Sequence, residues 1–369
     1  MRFSIRPNLT FDFERLAPFF FRLEIGETTL QPMITNFLTI TSTLALLITV
    51  SVSNVRAGEP SPLEAKYVPI RDRVVREGLA NGRAYALLTE LCTKVGHRLS
   101  GSPGAAKAVI WGDRTMKDLG FERVRLEPVL VPHWVRGEVE RASLQMKSLG
   151  TKSTSQQIPL AICALGGSVA TPPGGITAEV LEIRSFDELR SAGERAKGKI
   201  IFFNRPFEAG LYNTFSAYGG AVDQRGSGAI ETAKAGGVAA IVRSVTSRLD
   251  DVPHTGSMSY EGDGKVPAAA ISTLGADRLS RALKSDPHLR VSIELSCKTY
   301  PDAKSSNVIG ELVGSEKPDE VLVIGGHLDS WDKGQGAHDD GAGCVHAIEA
   351  IRLLKALELH PRRTIRAVL

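Results

Sequence analysis

Val321-Leu-Val-Ile-Gly-Gly-His-Leu-Asp-Ser-Trp-Asp332, followed by Lys333-Gly-Gln-Gly-Ala-His-Asp-Asp-Gly-Ala-Gly343, is the stretch whose reading decides the fold. Residues 321–324 form an unbroken apolar run closed by a glycine pair, the pattern of a buried strand. His327 and Asp329 stand two apart at its end, so their side chains leave on the same side. A glycine-rich turn follows. Asp339 and Asp340 then open a segment with Val345, Ile348, Ile351, Leu354 and Leu357 at helical spacing. A strand end and a helix start, both carrying ligand-type side chains, face the crevice where open α/β sheets bind ligands.

Imidazole and carboxylate are ordinary zinc ligands, and one carboxylate can bridge two ions about 3.5–4 Å apart. Asp329 suits a supporting task, accepting from the imidazole of His327 and so holding one tautomer. Each piece also has a plain reading by itself. Asp at a helix start is a favoured cap, further helped by the helix dipole, and H-x-D alone is a weak signal. Strand, H-x-D, glycine turn, D-D and helix in one stretch point to a metal centre.

Residues 327–343 resemble the first metal-binding motif of the co-catalytic zinc exopeptidases, in particular their carboxypeptidase Q-like branch. Val95-Gly-His-Arg-Leu-Ser-Gly-Ser102, Glu127-Pro-Val-Leu-Val-Pro-His-Trp-Val-Arg-Gly-Glu138, Thr171-Pro-Pro-Gly-Gly-Ile-Thr-Ala-Glu-Val180, Thr299-Tyr-Pro-Asp302 and Pro361-Arg-Arg-Thr-Ile-Arg-Ala-Val-Leu369 carry the likeness too. It extends over nearly everything from about Leu63 onward. The resemblance implies a site of two zinc ions, with His327 binding one, Asp339 bridging both and Asp329 as the supporting catalytic carboxylate. It implies that the peptide between Asp339 and Asp340 is often cis. The implied activity is hydrolysis of short peptides next to a free terminus, by a secreted or lysosomal carboxypeptidase, with a homodimer as the implied assembly.

In such enzymes the strand matching 364–369 leads into a Glu pair, one general base and one zinc ligand, and a later Asp and His complete the metal shells. The sequence stops at Leu369, before all of these. The expectation is therefore an incomplete form, inactive alone. Three alternatives stand beside it: an aminopeptidase of the same family, a non-catalytic binding scaffold, and a gene-model fragment.

The rest of the chain agrees with a globular enzyme. Of its 369 residues, 42% are hydrophobic and 23% charged, which leaves room for two domains. A net charge of +4 is too slight to argue for nucleic acid, and no basic stripe interleaved with aromatics is present. Residues 1–57 read as leader and signal peptide, with an uncharged run over 37–52 and Val55-Arg-Ala57 as a cleavage site; Met33 is a second candidate start. A membrane enters only if that segment stays uncleaved. Cys92, Cys163, Cys297 and Cys344 match neither a zinc ribbon nor a redox pair and read as buried apolar residues.

The expected fold is α/β: a zinc-exopeptidase-type doubly wound sheet, incomplete at its C-terminus, with an inserted β-rich protease-associated domain. The first part of the catalytic domain spans 58–157, the insert 158–297 and the truncated second part 298–369. Within the first part, 68–91 reads as two helices and 105–119 as a third. The insert has short strand-like runs at 180–183, 199–203, 238–242 and 291–295, one helix near 226–237 and a turn at Gly262-Asp-Gly264. His97 and His133 read as loop or packing histidines, Asp250, Asp251 and His254 as a solvated loop, and His346 and Glu349 as the polar flank of a helix. Arg225 and Arg243 receive no role.

Overall fold

Asn81-Gly82 separates the first two helices, α1 (Pro62–Asn81) and α2 (Ala84–Glu90), as a glycine at a helix end does. The computed structural model describes residues 61–146, 156–262 and 264–369. The expected leader and signal peptide, and Asp263 of the expected turn, lie outside the described residues. The chain divides into two units, Met1–Pro69 and Ile70–Leu369. In the first, the described residues are the opening turns of α1; everything below concerns the second.

Helix α3 (Pro103–Asp118) has proline in its first turn and Ser102 as cap, whose hydroxyl accepts from the Ala105 amide at 3.2 Å. Strand β1 (Glu122–Val135) follows. The chain then makes β2 (Glu140–Met146), β3 (Gln156–Leu160), β4 (Ile162–Ala164), β5 (Ile176–Ile183), α4 (Phe186–Ala192), β6 (Ile200–Phe203), α5 (Thr214–Lys234) and β7 (Ala239–Arg243). Next come β8 (Ala268–Ile271), α6 (Thr273–Ser285) and β9 (Arg290–Leu295). It returns beside β1 as β10 (Lys298–Leu312), then β11 (Lys317–Gly325), α7 (Ala342–Ala356) and β12 (Arg363–Val368).

These strands make two sheets, one of order β1-β10-β12-β11 and one of order β3-β2-β9-β5-β6-β7-β8-β4. In the first, β10 is antiparallel to both β1 and β12, and only β11 and β12 run parallel. The doubly wound expectation therefore does not describe this sheet, which is mixed. Trp111 and Met116 of α3 and Val345, Ile348 and Ile351 of α7 share one core with Val308, Leu312 and Ala367 of its strands.

The 321–324 run is also not a buried strand. β11 lies at the sheet edge, with Val321, Leu322 and Val323 39%, 56% and 59% exposed. An apolar run marks a strand, but not how many neighbours it has.

The doubly wound pattern lies in the second sheet instead. β5, β6, β7 and β8 are successive parallel strands, with α4 between the first two, α5 between the next two, and a connection without a helix from β7 to β8. Ile200, Phe202 and Ile241 pack with Ala276 and Leu279 of α6, whereas Ile201, Phe203 and Ala240 pack with Leu189 of α4 and Ala229 of α5. Alternate residues thus feed opposite layers, as the pleat requires. The sheet's limits, Glu140 and Leu295, begin before the change of texture expected at Ile158, because β2 pairs with β9.

Helix α5 is longer than the sequence suggests, beginning at Thr214 rather than near Gly226. Asn213 caps it through bonds from the Phe215 and Ser216 amides at 3.0 and 3.2 Å. All four cysteines are free and buried, and burial pushes the Cys163 and Cys344 thiols up to about 12.

Candidate metal centre

The end of β11 and the start of α7 approach closely because Gly326 allows it: a Cβ there would meet Asp340 Oδ2 at 2.6 Å and the Cys344 amide at 2.7 Å. Asp340 joins the two elements. Its Oδ2 accepts from the His327 amide at 3.1 Å and its Oδ1 from the Gly343 amide at 3.0 Å. This is the helix-start role that either Asp of the pair could have filled. Asp339 is thereby left to face the imidazole. The peptide joining the two is cis.

His327 is held from both sides. Its Nδ1 lies 3.0 Å from Asp329 Oδ1 and 3.2 Å from the Asp329 carbonyl, and its Nε2 lies 2.9 Å from Asp339 Oδ1. The three side chains singled out in the sequence thus converge. Burial works against the imidazolium, but the bonds and charges of Asp329 and Asp339 outweigh it and raise the His327 pKa. The group is open to solvent, with the His327 side chain 57% and the Asp339 side chain 77% exposed.

Two cavities adjoin it. One, of about 410 Å³, has Leu99, Trp134, Met258 and Trp331 on its wall together with His327 and Asp339. The other, of about 380 Å³, places Ser305, Ser306 and Asn307 opposite His327 and Asp329. Among the described residues, no Lys or Arg lines either cavity.

The loop between Asp329 and Asp339 is shaped by a residue that sequence reasoning passed over. Arg98 is fully buried, and its guanidinium donates to four carbonyls: Leu328 at 2.6 Å, Gln335 at 2.7 Å, Gly336 at 2.8 Å and Gly96 at 3.2 Å. Its backbone is tied to Ser330 in both directions. Gly336 turns beneath it with φ 60°, where a Cβ would meet Ser330 Cβ at 2.3 Å. Burial lowers the Arg98 pKa, partly countered by Cys92, Cys344, Asp329 and Asp340.

Arg136, 5% exposed, anchors the same loop through a bidentate pair with Asp332, both bonds 2.7 Å. Both arginines lie in stretches that carried the family resemblance. A buried arginine serving backbone carbonyls or a distant acid leaves no periodic signal of its own.

The other flagged residues stay apart from this group. His97 is exposed, and His133 stacks on Tyr300 at 4.9 Å. Glu349 is buried and pairs with Arg352 at 2.7 Å, while His346 points to solvent. Asp250 bonds Arg248 and Asp251 lies 3.7 Å from Arg278. Among the described residues no group of three His, Cys, Asp or Glu side chains is arranged to hold a metal ion.

Residues 307–369 match the model of Peptidase family M28. Carboxypeptidase Q of Bos taurus is 43% identical over 293 residues, 79% of this chain and 58% of that protein. The chain thus spans less than two thirds of the length of the curated relatives it matches. The crystal structure of a peptidase M28 precursor from Shewanella amazonensis SB2B superposes with a TM-score of 0.75 at 37% identity, covering 82% of this chain and 66% of that one. A zinc aminopeptidase from Bacillus subtilis shares the fold, with a TM-score of 0.52 at 20% identity over 77% of this chain and 60% of that one.

Proposed function

We propose, because this chain belongs to peptidase family M28, that it carries the first part of the metal centre of a zinc-dependent exopeptidase. His327 and Asp339 are the ligands and Asp329 the carboxylate that orients the imidazole. The observation that carries this reading is the approach of His327 Nε2 to Asp339 Oδ1 at 2.9 Å while Nδ1 is engaged by Asp329. Two ligand atoms about 2.0–2.2 Å from one tetrahedral ion stand about 3.3 Å apart, so a shift of a few tenths of an ångström admits zinc. Asp339 Oδ2 has no hydrogen-bond partner among the described residues, which suits a carboxylate that reaches a second ion.

The chemistry bound zinc supplies is a Lewis acid for the scissile carbonyl and a lowered pKa for water. The chain's own residues do the arranging. Asp329 accepts a hydrogen bond from Nδ1–H and so keeps the proton there, leaving the Nε2 lone pair for the metal. Asp340 fixes strand end to helix start, and Arg98 holds the intervening loop. The apolar cavity beside His327 would receive a substrate side chain. The family resemblance carries the reading of residues 158–297 as a protease-associated insert, of two ions at the site, and of a secreted or lysosomal enzyme that forms a homodimer.

Two zinc ions want about four ligands each, and His327 and Asp339 supply only two residues toward them. The 369-residue chain with added zinc is therefore expected to release no product from short peptides. Turnover abolished by His327→Ala would show that the ligand set is fuller than these two residues.

A carboxypeptidase is the first reading, and an aminopeptidase the second. The second is favoured by one observation, the lack, among the described residues, of a Lys or Arg on either cavity wall to meet a substrate's terminal carboxylate. Comparing N-blocked with C-amidated dipeptides on an enzyme with the complete ligand set separates them. Faster loss of the C-amidated peptide would exclude the carboxypeptidase.

A further inference from the structure

The parallel strands β5, β6 and β7 end side by side at Ile183, Phe203 and Arg243. Beyond those ends the chain passes to α4 on one face of the sheet, while α6 covers the other. The crevice outside the carboxyl ends of parallel strands is where open α/β sheets take ligands, most of all where connections part to opposite faces. A cavity of about 330 Å³ lies there. Its wall includes Arg184 and Asn204, which directly follow β5 and β6, Arg243 at the end of β7, and Asp277, Arg281 and Lys284 of α6.

The floor is built. Arg243 is 8% exposed, and its Nη1 donates to Asn204 Oδ1 at 3.2 Å and Asp277 Oδ1 at 2.6 Å. Its Nε and Nη2 have no hydrogen-bond partner among the described residues, yet neither is sealed from solvent. Asn204 is fixed in turn by donating to Glu182 at 2.6 Å.

The rim is uncompensated. Arg184, Arg281 and Lys284 form no ion pair among the described residues, although neighbours on the same elements do, Arg190 with Asp187 and Arg278 with Asp251. Four cations and one carboxylate line a single cavity.

We propose that this cavity binds a compact, multiply charged oxyanion. A single carboxylate would balance one of the unpaired cations. Phosphate-like or polycarboxylate groups offer several oxygens to planar guanidinium forks and a lysine at once. None of the metal-centre residues lines this cavity, so the proposal is independent of the peptidase reading.

Calorimetric titration of the 369-residue chain with inorganic phosphate, against chloride at equal ionic strength and with citrate as a second arm, tests it. The Arg184→Ala/Arg281→Ala/Lys284→Ala variant, changed only at exposed side chains, is expected to bind the anion at least about tenfold more weakly. Arg278→Ala, on the same helix but paired with Asp251, is expected to bind as the parent does. Binding of phosphate alone assigns a phosphate-bearing ligand, and binding of both anions a less selective oxyanion site. No binding beyond chloride, or binding that the triple variant retains, would overturn the proposal.

Discussion

Two crevices of this molecule lie at the carboxyl ends of parallel strands, and their linings carry opposite charge. At the end of β11, His327, Asp329 and Asp339 gather around a space suited to a cation. At the ends of β5, β6 and β7, Arg184, Arg243, Arg281 and Lys284 gather around one suited to an anion. Topology supplies the place in both cases, and the residues at the strand ends choose the ligand. They differ also in what holds them. The first is shaped by a loop clamped onto Arg98, the second by a buried side-chain network.

The sharpest contrast comes from removing the proposed ligands one at a time, with zinc binding read by competition against a chromophoric chelator. Either His327→Ala or Asp339→Ala is expected to lower zinc affinity by more than about 100-fold, because each removes a coordinating atom. Asp329→Ala, which leaves both ligands but frees the ring, is expected to cost about 10–100-fold. Equal losses in all three would erase the distinction between ligand and support.

Next is the clamp. Arg98→Met would leave the carbonyls of Leu328 and Gln335 without their donor and that of Gly336 with the Gly341 amide alone, and is expected to lower unfolding free energy by about 3 kcal/mol in a denaturant titration. An unchanged midpoint would mean that the loop holds its shape without the guanidinium.

A basic cluster that already holds a carboxylate of the chain serves as control for the one that lines the cavity. Glu311, 1% exposed, accepts from Arg366 at 2.7 Å and Arg125 at 3.2 Å, with Arg123 at 3.4 Å. Burial opposes its charge, but Arg366 and Arg125 outweigh burial and hold the carboxyl below the usual range. A depressed folded pKa contributes stability that is present above the unfolded value, about 4.3, and lost as pH falls through the folded one. Glu311→Gln is therefore expected to destabilise by about 2 kcal/mol at neutral pH, with the difference from the parent shrinking as acid protonates Glu311. A difference independent of pH would contradict this.

The grouping of His327, Asp329 and Asp339 was the most legible feature of the chain: His327 and Asp329 stand two apart at a strand end, and Asp339 follows the glycine-rich turn just before the helix. Residue type alone does not say which Asp of the pair caps and which faces the imidazole, because both chemistries use the same side chain; the choice of Asp339 came from the family resemblance. Arg98 and Arg243 were opaque for another reason. An arginine's burial depends on what folds over it, and those partners lie far away in sequence. Strand existence was legible for β5, β6, β7 and β9 of the second sheet, whereas β2, β3, β4 and β8 and the edge position of β11 were not. Four glycines hid most of α5, yet Gly228 lies against Phe203, where an added Cβ would come within 3.1 Å.

The central claim is that His327 presents Nε2 to a metal ion while Asp329 keeps the proton on Nδ1. Nitrogen-detected NMR of the histidine rings during zinc titration of the labelled chain tests it most directly. The Nε2 resonance of His327 should move with added zinc, the Nδ1 proton should stay in place, and Asp339→Asn should weaken the response. Movement of His97 or His133 with His327 unchanged, or metal bound at Nδ1, would contradict it.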